Sequence, residues 1–232
     1  MDALDDALRQ GLTTLGLVLS DNQVVNLLAY LTLIQKWNKV YNLTSVRDPA
    51  EMMTHHLLDS LAVIQPLQRQ LTQLQDFSKA GQVVAPIQKP VVRLLDVGSG
   101  AGLPGVVIAI CCPKLRVDCV DTVGKKTAFI QQVAASLKLP NLRGIHARVE
   151  SLTDRYGVIT SRAFASLLDF TNWSVAALEG SGVWLAMKGK HPAQELAALP
   201  KTVTVFHVEQ LTVPGLDAER CLIWLRPATA SA

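Results

Sequence analysis

Apolar positions near the amino terminus recur with the period of an α-helix. The stripe of the first predicted helix consists of Val24, Leu27, Leu28, Leu31 and Ile34. Ser20 stands three residues before Gln23, which is the spacing of a capping box, where each residue satisfies a backbone N–H group of the other. The pattern therefore predicts a helix that begins just after Ser20.

A second helix is predicted to begin at Asp48. Asp48 is a favourable N-cap, Pro49 suits the first helical position, and Glu51 follows in the first turn. The buried stripe of this helix is Met53, Leu57, Leu61 and Ile64. Because proline lacks an N–H group and clashes with the preceding turn, the helix is predicted to end at Pro66.

After about residue 90 the pattern changes to short apolar strands that alternate with helices. The predicted strands are Val91–Asp96, Leu115–Val120, Leu142–Ala147, Gly157–Thr160 and Val183–Met187. Helices are predicted from Pro104 onward and over Lys125–Leu139. This alternation indicates an α/β fold with a parallel sheet and helices on both of its faces.

The carboxyl-terminal part is predicted to close the sheet with an antiparallel hairpin. Thr202–Val208 and Cys221–Leu225 have strand patterns and are joined only by a loop that contains Pro214 and Gly215. Earlier in the chain, residues 68–90 are rich in glutamine and are predicted to continue a helix and then form a linker. The predicted organisation is a helical extension over 1–75, a linker over 76–90 and a sheet domain over 91–232.

Composition and charge fit a globular protein that is not a polycation. Of the 232 residues 49% are hydrophobic, and 22 basic residues against 19 acidic ones give a net charge of +3. Nucleic-acid binding would require the basic residues to gather on one face. The acidic amino terminus does not resemble a signal peptide, and the longest apolar runs are too short for a bilayer. We therefore expect a cytoplasmic protein that does not bind membranes.

The four cysteines give no sign of a metal site or a disulfide framework. They are Cys111, Cys112, Cys119 and Cys221, and no two of them have the CxxC spacing. Three lie in predicted core segments, so buried reduced thiols are expected.

A glycine-rich turn at residues 96–105 (DVGSGAGLPG) carries the strongest functional signal. It follows a buried strand and leads into a helix, and turns without side chains allow a ligand to approach the backbone closely. The third glycine of a dinucleotide fingerprint is displaced, because Leu103 stands at the sixth position and Gly102 at the fifth. GxGxG after Asp96 therefore favours S-adenosylmethionine over a nicotinamide cofactor. Asp96 is predicted either to hold the methionine end of that cofactor or to order the turn.

Asp121 ends the second predicted strand, about twenty residues after the glycine-rich turn. A carboxylate at this place in such a sheet can accept both ribose hydroxyls of an adenosyl group. The strand, the turn and the acid together predict a nucleotide-type binding site.

Four segments resemble the small-subunit rRNA methyltransferase G family, also called glucose-inhibited division protein B. They are Trp37–Ser45 (WNKVYNLTS), His56–Ser60 (HLLDS), Asp96–Gly105 (DVGSGAGLPG) and Ser161–Ala165 (SRAFA). The resemblance covers essentially the whole chain. It implies a Rossmann-like methyltransferase fold, with a seven-stranded, mostly parallel sheet and a helical extension. It also implies S-adenosylmethionine-dependent methylation of guanine N7 in the decoding-region loop of 16S rRNA.

The family's cofactor contacts can be carried over to matching positions of this chain. They fall on Gly98, Leu103, the pair Val149-Glu150 after the third strand, and Arg162 after the fourth. Together with the residues found above, the predicted cofactor site is Asp96, Gly98, Gly100, Leu103, Asp121, Val149, Glu150 and Arg162. One departure from the family is the segment from about 70 to 89, which is longer than expected and leaves the domain boundary open.

The sequence carries no general base for the reaction, and none is needed. Guanine N7 already has a lone pair, so the enzyme must mainly align it with the methyl group. The Asn/Asp-Pro-Pro-aromatic loop of amino-group methyltransferases is absent, and no cysteine lies where cytosine C5 methylation would require a nucleophile. Arg162 is the candidate for positioning, through the cofactor carboxylate or an RNA phosphate, with a surface salt bridge as the alternative. Phe164 is either a stacking platform for the target base or a core residue.

Two basic segments beside aromatic residues are predicted to contact RNA. The five predicted RNA-binding cations are Lys36, Lys39, Arg47, Lys188 and Lys190. Trp37 and Tyr41 belong either to this surface or to the core. His55 and His56 have no partner spaced for a metal, so no metal site is expected.

The predicted partner is 16S rRNA, either free or in the 30S subunit, bound by a monomer. Three other classes remain open on the residues alone. These are a methyltransferase acting on a small molecule or protein, a nicotinamide-dependent oxidoreductase, and a binding module without catalysis.

Overall fold

The computed structural model describes residues 2–79 and 92–228. The amino-terminal part is helical, as predicted. Its elements are α1 (Asp2–Thr14), α2 (Asp21–Tyr41), α3 (Pro49–Met52), a π-helical turn (Met53–Leu58), α4 (Asp59–Leu61) and α5 (Ile64–Lys79). No helix in the described ranges is both long and apolar enough to span a membrane.

Both predicted helix starts are confirmed by their caps. Ser20 Oγ accepts a hydrogen bond from the Gln23 N–H at 3.4 Å, and the Gln23 side chain accepts one from the Ser20 N–H at 3.0 Å. Asp48 Oδ1 accepts from the N–H groups of Ala50 at 2.9 Å and Glu51 at 3.0 Å. These side chains satisfy donors that the first helical turn leaves free.

The prediction that a helix ends at Pro66 is wrong. The break falls at Ala62–Val63, and α5 then begins at Ile64, so that Pro66 lies in its first turn. A proline is tolerated there because its missing N–H group would have no partner within the helix. Helix α5 also extends beyond residue 76, where the linker was predicted to begin. The rest of that linker, like Val91 at the predicted start of the first strand, lies outside the described residues, and the domain boundaries stay a prediction.

The described residues of the carboxyl-terminal part form one seven-stranded sheet. Its strands are β1 (Arg93–Val97), β2 (Arg116–Asp121), β3 (Leu142–His146), β4 (Tyr156–Arg162), β5 (Leu178–Lys188), β6 (Val203–Leu211) and β7 (Arg220–Pro227). The strand order is β3-β2-β1-β4-β5-β7-β6. Strands β1 to β5 pair in parallel, and β7 pairs antiparallel with both β5 and β6. The predicted parallel sheet with an antiparallel hairpin is confirmed.

Helices cover both faces of this sheet. They are α6 (Gly105–Cys111), α7 (Gly124–Ser136), α8 (Leu167–Ser174) and α9 (Ala193–Ala197), with short 3₁₀ turns at Val149–Ser151 and Val175–Ala177. Alternate residues of a strand point to opposite faces, so Leu94 and Leu95 belong to different hydrophobic clusters.

One of these clusters joins the amino-terminal helices to the sheet. Leu27 and Ile34 of α2 share a buried cluster with Ile108 of α6 and Phe129 of α7. The helical extension therefore packs against the sheet domain through a common core, which brings α2 next to the turns at the carboxyl edge of the sheet. All four cysteines are buried and free, as expected.

Candidate functional site

A cleft lies over the carboxyl ends of β1, β2 and β4, the edge at which open α/β sheets bind ligands. It has two compartments, with volumes of about 700 and 430 Å³, and Gly98 and Ala163 line both. The predicted cofactor residues come together here: all of them except Asp96 line one or both compartments. Volumes of this size suit a nucleotide-sized ligand.

The glycine-rich turn forms the floor between the compartments. Gly98, Gly100 and Gly102 have φ values of 65°, 58° and 90°, which L-residues rarely adopt. A Cβ at Gly98 would collide with the ring of Phe164, whereas a Cβ at Gly100 would meet no atom within 4 Å. The backbone of the turn is thus open to the cleft at Gly100, as the cradle interpretation requires.

Asp96 lies beneath this turn. Its Oδ2 accepts a hydrogen bond from the Gly105 N–H at 2.9 Å, so the carboxyl group does order the turn, as one of its two predicted roles requires. Its Oδ1 is buried and has no hydrogen-bond partner among the described residues. Burial raises the pKa of Asp96 to about 7, against the weaker opposing effect of the Gly105 hydrogen bond. Because Asp96 lines neither compartment, its predicted contact with the methionine end of the cofactor stays a prediction.

Asp121 connects the end of β2 to the glycine-rich turn. Its Oδ2 accepts from the Gly100 N–H at 3.0 Å, and its Oδ1 accepts from the Val123 N–H at 2.9 Å. Lys126 Nζ lies 3.6 Å from Oδ2. Each carboxylate oxygen can accept a second hydrogen bond, so the predicted ribose contact is compatible with these bonds and stays a prediction.

The smaller compartment has an aromatic wall. Phe164 and Trp173 meet edge to face with their centroids 5.8 Å apart, and both line this compartment together with Val149 and Glu150. Phe164 therefore lies on the same side as Asp121, the side predicted to hold adenosine. Its predicted stacking on the target base has no support from this placement.

Arg162 belongs to a largely buried ion-paired group in the larger compartment, whereas the alternative predicted for it was a salt bridge at the surface. Arg162 Nη1 donates to Asp59 Oδ2 at 2.8 Å, and Arg220 Nε donates to Asp59 Oδ1 at 2.9 Å. Arg162 Nη1 also donates to the backbone carbonyl of His55 at 2.8 Å. The Asp59 side chain is only 4% exposed. Ala163 follows Arg162 with a φ of 51°, an unusual value that directs the chain away from β4.

The loop that walls the larger compartment is held by side chains of the helical extension. Asn38 Nδ2 donates to the Val46 carbonyl at 3.2 Å, and Asn38 Oδ1 accepts from the Thr44 N–H at 2.9 Å. Thr44 Oγ1 lies 2.8 Å from His56 Nε2. Burial, followed by the charge of Arg162, lowers the pKa of His56 to about 4, so this ring is neutral at physiological pH.

Helix α2 also supports the glycine-rich turn directly. The buried Tyr30 hydroxyl donates to the Ala101 carbonyl at 2.7 Å. Trp37, two turns further along, packs on Phe129 with a centroid distance of 5.4 Å. Tyr41 is 38% exposed and packs against Trp37. Of the two aromatic residues left open by the sequence, Trp37 thus contacts the core and Tyr41 remains available at the surface.

The five predicted RNA-binding cations differ in their surroundings. Lys36, Lys39, Arg47 and Lys190 are exposed. Lys188 lines the larger compartment, but its Nζ donates to Glu195 at 2.8 and 3.0 Å and to the Ala165 carbonyl at 2.9 Å. Glu195 therefore competes with phosphate for Lys188. Contact with RNA stays a prediction for all five.

The described ranges contain no group of three or more His, Cys, Asp or Glu side chains arranged to hold a metal ion. What the residues can provide chemically is a glycine cradle, buried polar atoms without a hydrogen-bond partner among the described residues, including Asp96 Oδ1 and Ser99 Oγ, and guanidinium groups facing a nucleotide-sized space.

Residues 23–223 match the family model described as rRNA small subunit methyltransferase G. The chain is 67% identical over 97% of its length to Ribosomal RNA small subunit methyltransferase G from Albidiferax ferrireducens, covering 98% of that protein. It is 54% identical over 96% of its length to the protein of that name from Methylibium petroleiphilum, covering 94% of it. The chain belongs to the small-subunit rRNA methyltransferase G family. This confirms the predicted family and enzyme class, with S-adenosylmethionine as the methyl donor.

Among solved structures, TrmN from Thermus thermophilus is similar in fold. The TM-score is 0.50 at 19% identity, and the match covers 60% of this chain and 45% of that one. This likeness supports the Rossmann-like fold alone. The sequence alone left open a methyltransferase for small molecules or proteins, an oxidoreductase and a binding module. Family membership shows instead that the protein is an rRNA methyltransferase.

Proposed function

We propose that the protein transfers a methyl group from S-adenosylmethionine to N7 of a guanine in the decoding-region loop of 16S rRNA. It acts as a monomer in the cytoplasm, without a metal ion, on free rRNA or the 30S subunit. The observation that carries the proposal is the two-compartment cleft, whose halves meet at Gly98. The junction is where a methyl group would pass from cofactor to base.

The smaller compartment suits the adenosine part of the cofactor. Asp121 has lone pairs left for the ribose hydroxyls, and Val149 offers an apolar surface for adenine beside the exposed Glu150. The Phe164–Trp173 wall closes the same compartment with aromatic surface. Each of these features fits a nucleoside.

The methionine part would be held where the compartments join. Arg162 uses only Nη1 for its hydrogen bonds to protein, so among the described residues its Nε and Nη2 edge has no partner. That edge is the fork that binds a carboxylate through two parallel hydrogen bonds. Asp96 Oδ1, which also has no partner among the described residues, is the candidate acceptor for the amino group. When bound, S-adenosylmethionine supplies an electrophilic methyl group.

The surrounding residues fit a reaction without proton abstraction. Guanine N7 attacks with its own lone pair, so the site has to align the base and exclude water. The neutral His56 ring bonds Thr44 and has the role of a wall residue. Burial raises the pKa of all four cysteine thiols, which disfavours the thiolate that cytosine C5 methylation would use.

The test uses the purified protein with methyl-labelled S-adenosylmethionine and two substrates, unmodified 16S rRNA and 30S subunits. We expect label in 7-methylguanosine, mapped by reduction and aniline cleavage to one position. A Gly98→Val variant that stays folded should incorporate none, because a Cβ at this position collides with the Phe164 ring that lines the smaller compartment. Label on another atom or base would contradict the N7 assignment, and label only in protein or small molecules would overturn the RNA substrate.

A further inference from the structure

Asp59, Arg162 and Arg220 form one fixed unit that faces the larger compartment. The Asp59 carboxylate lies between the guanidinium groups and binds each through a different oxygen, at 2.8 and 2.9 Å. The three residues come from α4, the end of β4 and the start of β7. Because β7 runs antiparallel to β5, its first residue lies at the same edge of the sheet as the last residue of β4.

The two arginines keep different nitrogens free. Arg162 leaves the Nε–Nη2 edge without a partner in the described part of the chain, as noted above. Arg220 donates Nε to Asp59 at 2.9 Å and Nη1 to the Glu219 carbonyl at 2.9 Å. Nη2 is the one nitrogen of the Arg220 guanidinium group that makes no hydrogen bond to residues 2–79 or 92–228. Arg162 therefore offers a fork, and Arg220 offers a single donor group.

We propose that Arg220 binds O6 of the target guanine through Nη2, and that Asp59 is the positioning residue that fixes Arg220 beside Arg162. This inference rests on the proposed function, because it concerns the guanine whose N7 is methylated. Arg220 is thus a substrate-binding residue that determines the orientation of the base.

The chemistry of guanine favours this assignment. Its Hoogsteen edge presents O6 and N7 as adjacent acceptors, and arginine commonly binds both as a fork. Such a fork would occupy the lone pair that N7 needs for attack. With Nε held by Asp59, Arg220 has lost the Nε–Nη2 fork, and a single bond to O6 leaves N7 free while fixing its direction.

The position of Arg220 favours a base over a phosphate. Its side chain is 23% exposed and lines a compartment of about 700 Å³, together with the turn at Gly98 and Gly100. A backbone phosphate would instead meet cations at the outer surface, such as the exposed Lys39 and Lys190. Because Arg220 is fixed and partly buried, its Nη2 is placed to donate a hydrogen bond to the edge of a base.

Asp59 also explains how two guanidinium groups can share this site. Like charges at short distance repel strongly in a partly desolvated cleft, and a carboxylate between them offsets that repulsion. The unit has one net positive charge. Both the cofactor carboxylate and guanine O6 therefore interact favourably with it. Removing the Asp59 charge should therefore release both arginines together.

The decisive experiment compares guanine with 2-aminopurine, which lacks O6 but keeps N7, at the methylated position of ligated 16S rRNA. With guanine RNA, Arg220→Ala should lower kcat by at least 10-fold while changing the dissociation constant of S-adenosylhomocysteine less than 2-fold. With 2-aminopurine RNA, wild type should already be slowed at least 10-fold, and Arg220→Ala should slow it no further. Equal losses on both RNAs would overturn the O6 contact.

Arg226→Ala is the matched control, because Arg226 lies at the other end of β7 and is exposed. It should behave as wild type with both RNAs. Failure of wild type to methylate guanine N7 would overturn the proposed function, whereas normal wild-type methylation with an unaffected Arg220→Ala variant would overturn only this inference.

Asp59→Asn tests the positioning role. We expect weaker S-adenosylhomocysteine binding, through Arg162, together with a smaller preference for guanine over 2-aminopurine, through Arg220. A purely structural role would lower thermal stability but leave the guanine preference of the folded fraction unchanged, and that result would refute the positioning role of Asp59.

Discussion

Replacing Asp96 by Asn should change how stability depends on pH. The carboxyl group is fully buried, and burial raises its pKa from an ordinary value of 3.8 to about 7. A group whose pKa is higher in the folded state stabilises that state at low pH, and the stabilisation is lost as pH rises toward the folded pKa. Wild type should therefore lose stability between about pH 4 and pH 7 through Asp96.

The magnitude follows from the two pKa values. At pH 5 the carboxyl group is ionised in the unfolded chain but still protonated in the folded one. Raising the pH from 5 to the folded pKa of about 7 removes about 3 kcal/mol, at roughly 1.4 kcal/mol for each pH unit. Asn does not titrate and retains an oxygen for the Gly105 N–H, so the Asp96→Asn variant should gain about this much relative to wild type.

Urea unfolding followed by circular dichroism at pH 5, 6, 7 and 8 measures the difference. The free energy of unfolding of Asp96→Asn minus that of wild type should rise with pH up to about pH 7 and then level off. Asp217→Asn, in an exposed loop, is the matched control and should show no such rise. A constant difference between Asp96→Asn and wild type over this range would refute the assignment of a buried, protonated carboxyl group.

The remaining predictions concern the cradle and the RNA surface. Asp121→Asn should weaken S-adenosylmethionine binding by about 1.5 to 3 kcal/mol in calorimetry; unchanged affinity would mean that the ribose is held elsewhere. Gly98→Ala should abolish detectable cofactor binding, because its Cβ would collide with Phe164 and its φ of 65° is strained, and tight residual binding would contradict the cradle. Tyr30→Phe should lower stability by about 1 to 3 kcal/mol, since it leaves the buried Ala101 carbonyl unpaired; an unchanged melting temperature would count against this contact. Alanine at the exposed members of the five predicted RNA-binding cations should reduce the salt slope of RNA binding by about 0.7 to 0.9 per lost phosphate contact, with cofactor affinity unchanged; an unchanged slope would place the RNA elsewhere.

The sequence predicted the sheet and the cofactor cradle because both rest on local patterns. Strand and helix periodicities need only a few neighbouring residues, and they located all seven strands, with end positions that shifted by a few residues. Gly98, Gly100 and Asp121 follow strand ends, and the carboxyl ends of parallel strands necessarily meet at one edge. Pro66 was misjudged because a proline can end a helix or open the next one, and the choice depends on where the preceding turn breaks.

The ion-paired unit escaped prediction because its members are distant in sequence. Asp59 is 103 residues from Arg162 and 161 from Arg220, and no local pattern joins them. Helical periodicity gave no signal either, because Asp59 lies two residues from both Leu57 and Leu61 and so falls on the side of the predicted helix opposite their buried stripe.

The placement of Asp59 changes how the helical extension has to be regarded. Tyr30 holds the glycine-rich turn, Asn38 holds the loop beside the base compartment, and Asp59 holds the arginines of two strands. The contacts of Tyr30 and Asp59 connect helices before residue 62 to the edge of the sheet where the chemistry takes place, whereas Asn38 fixes a loop of the extension that lines the same cleft. The extension therefore contributes to the geometry of both compartments, and a surface that binds RNA would use walls from both parts of the chain. Because the buried cluster is shared as well, substitutions in the extension should alter both base orientation and cofactor binding.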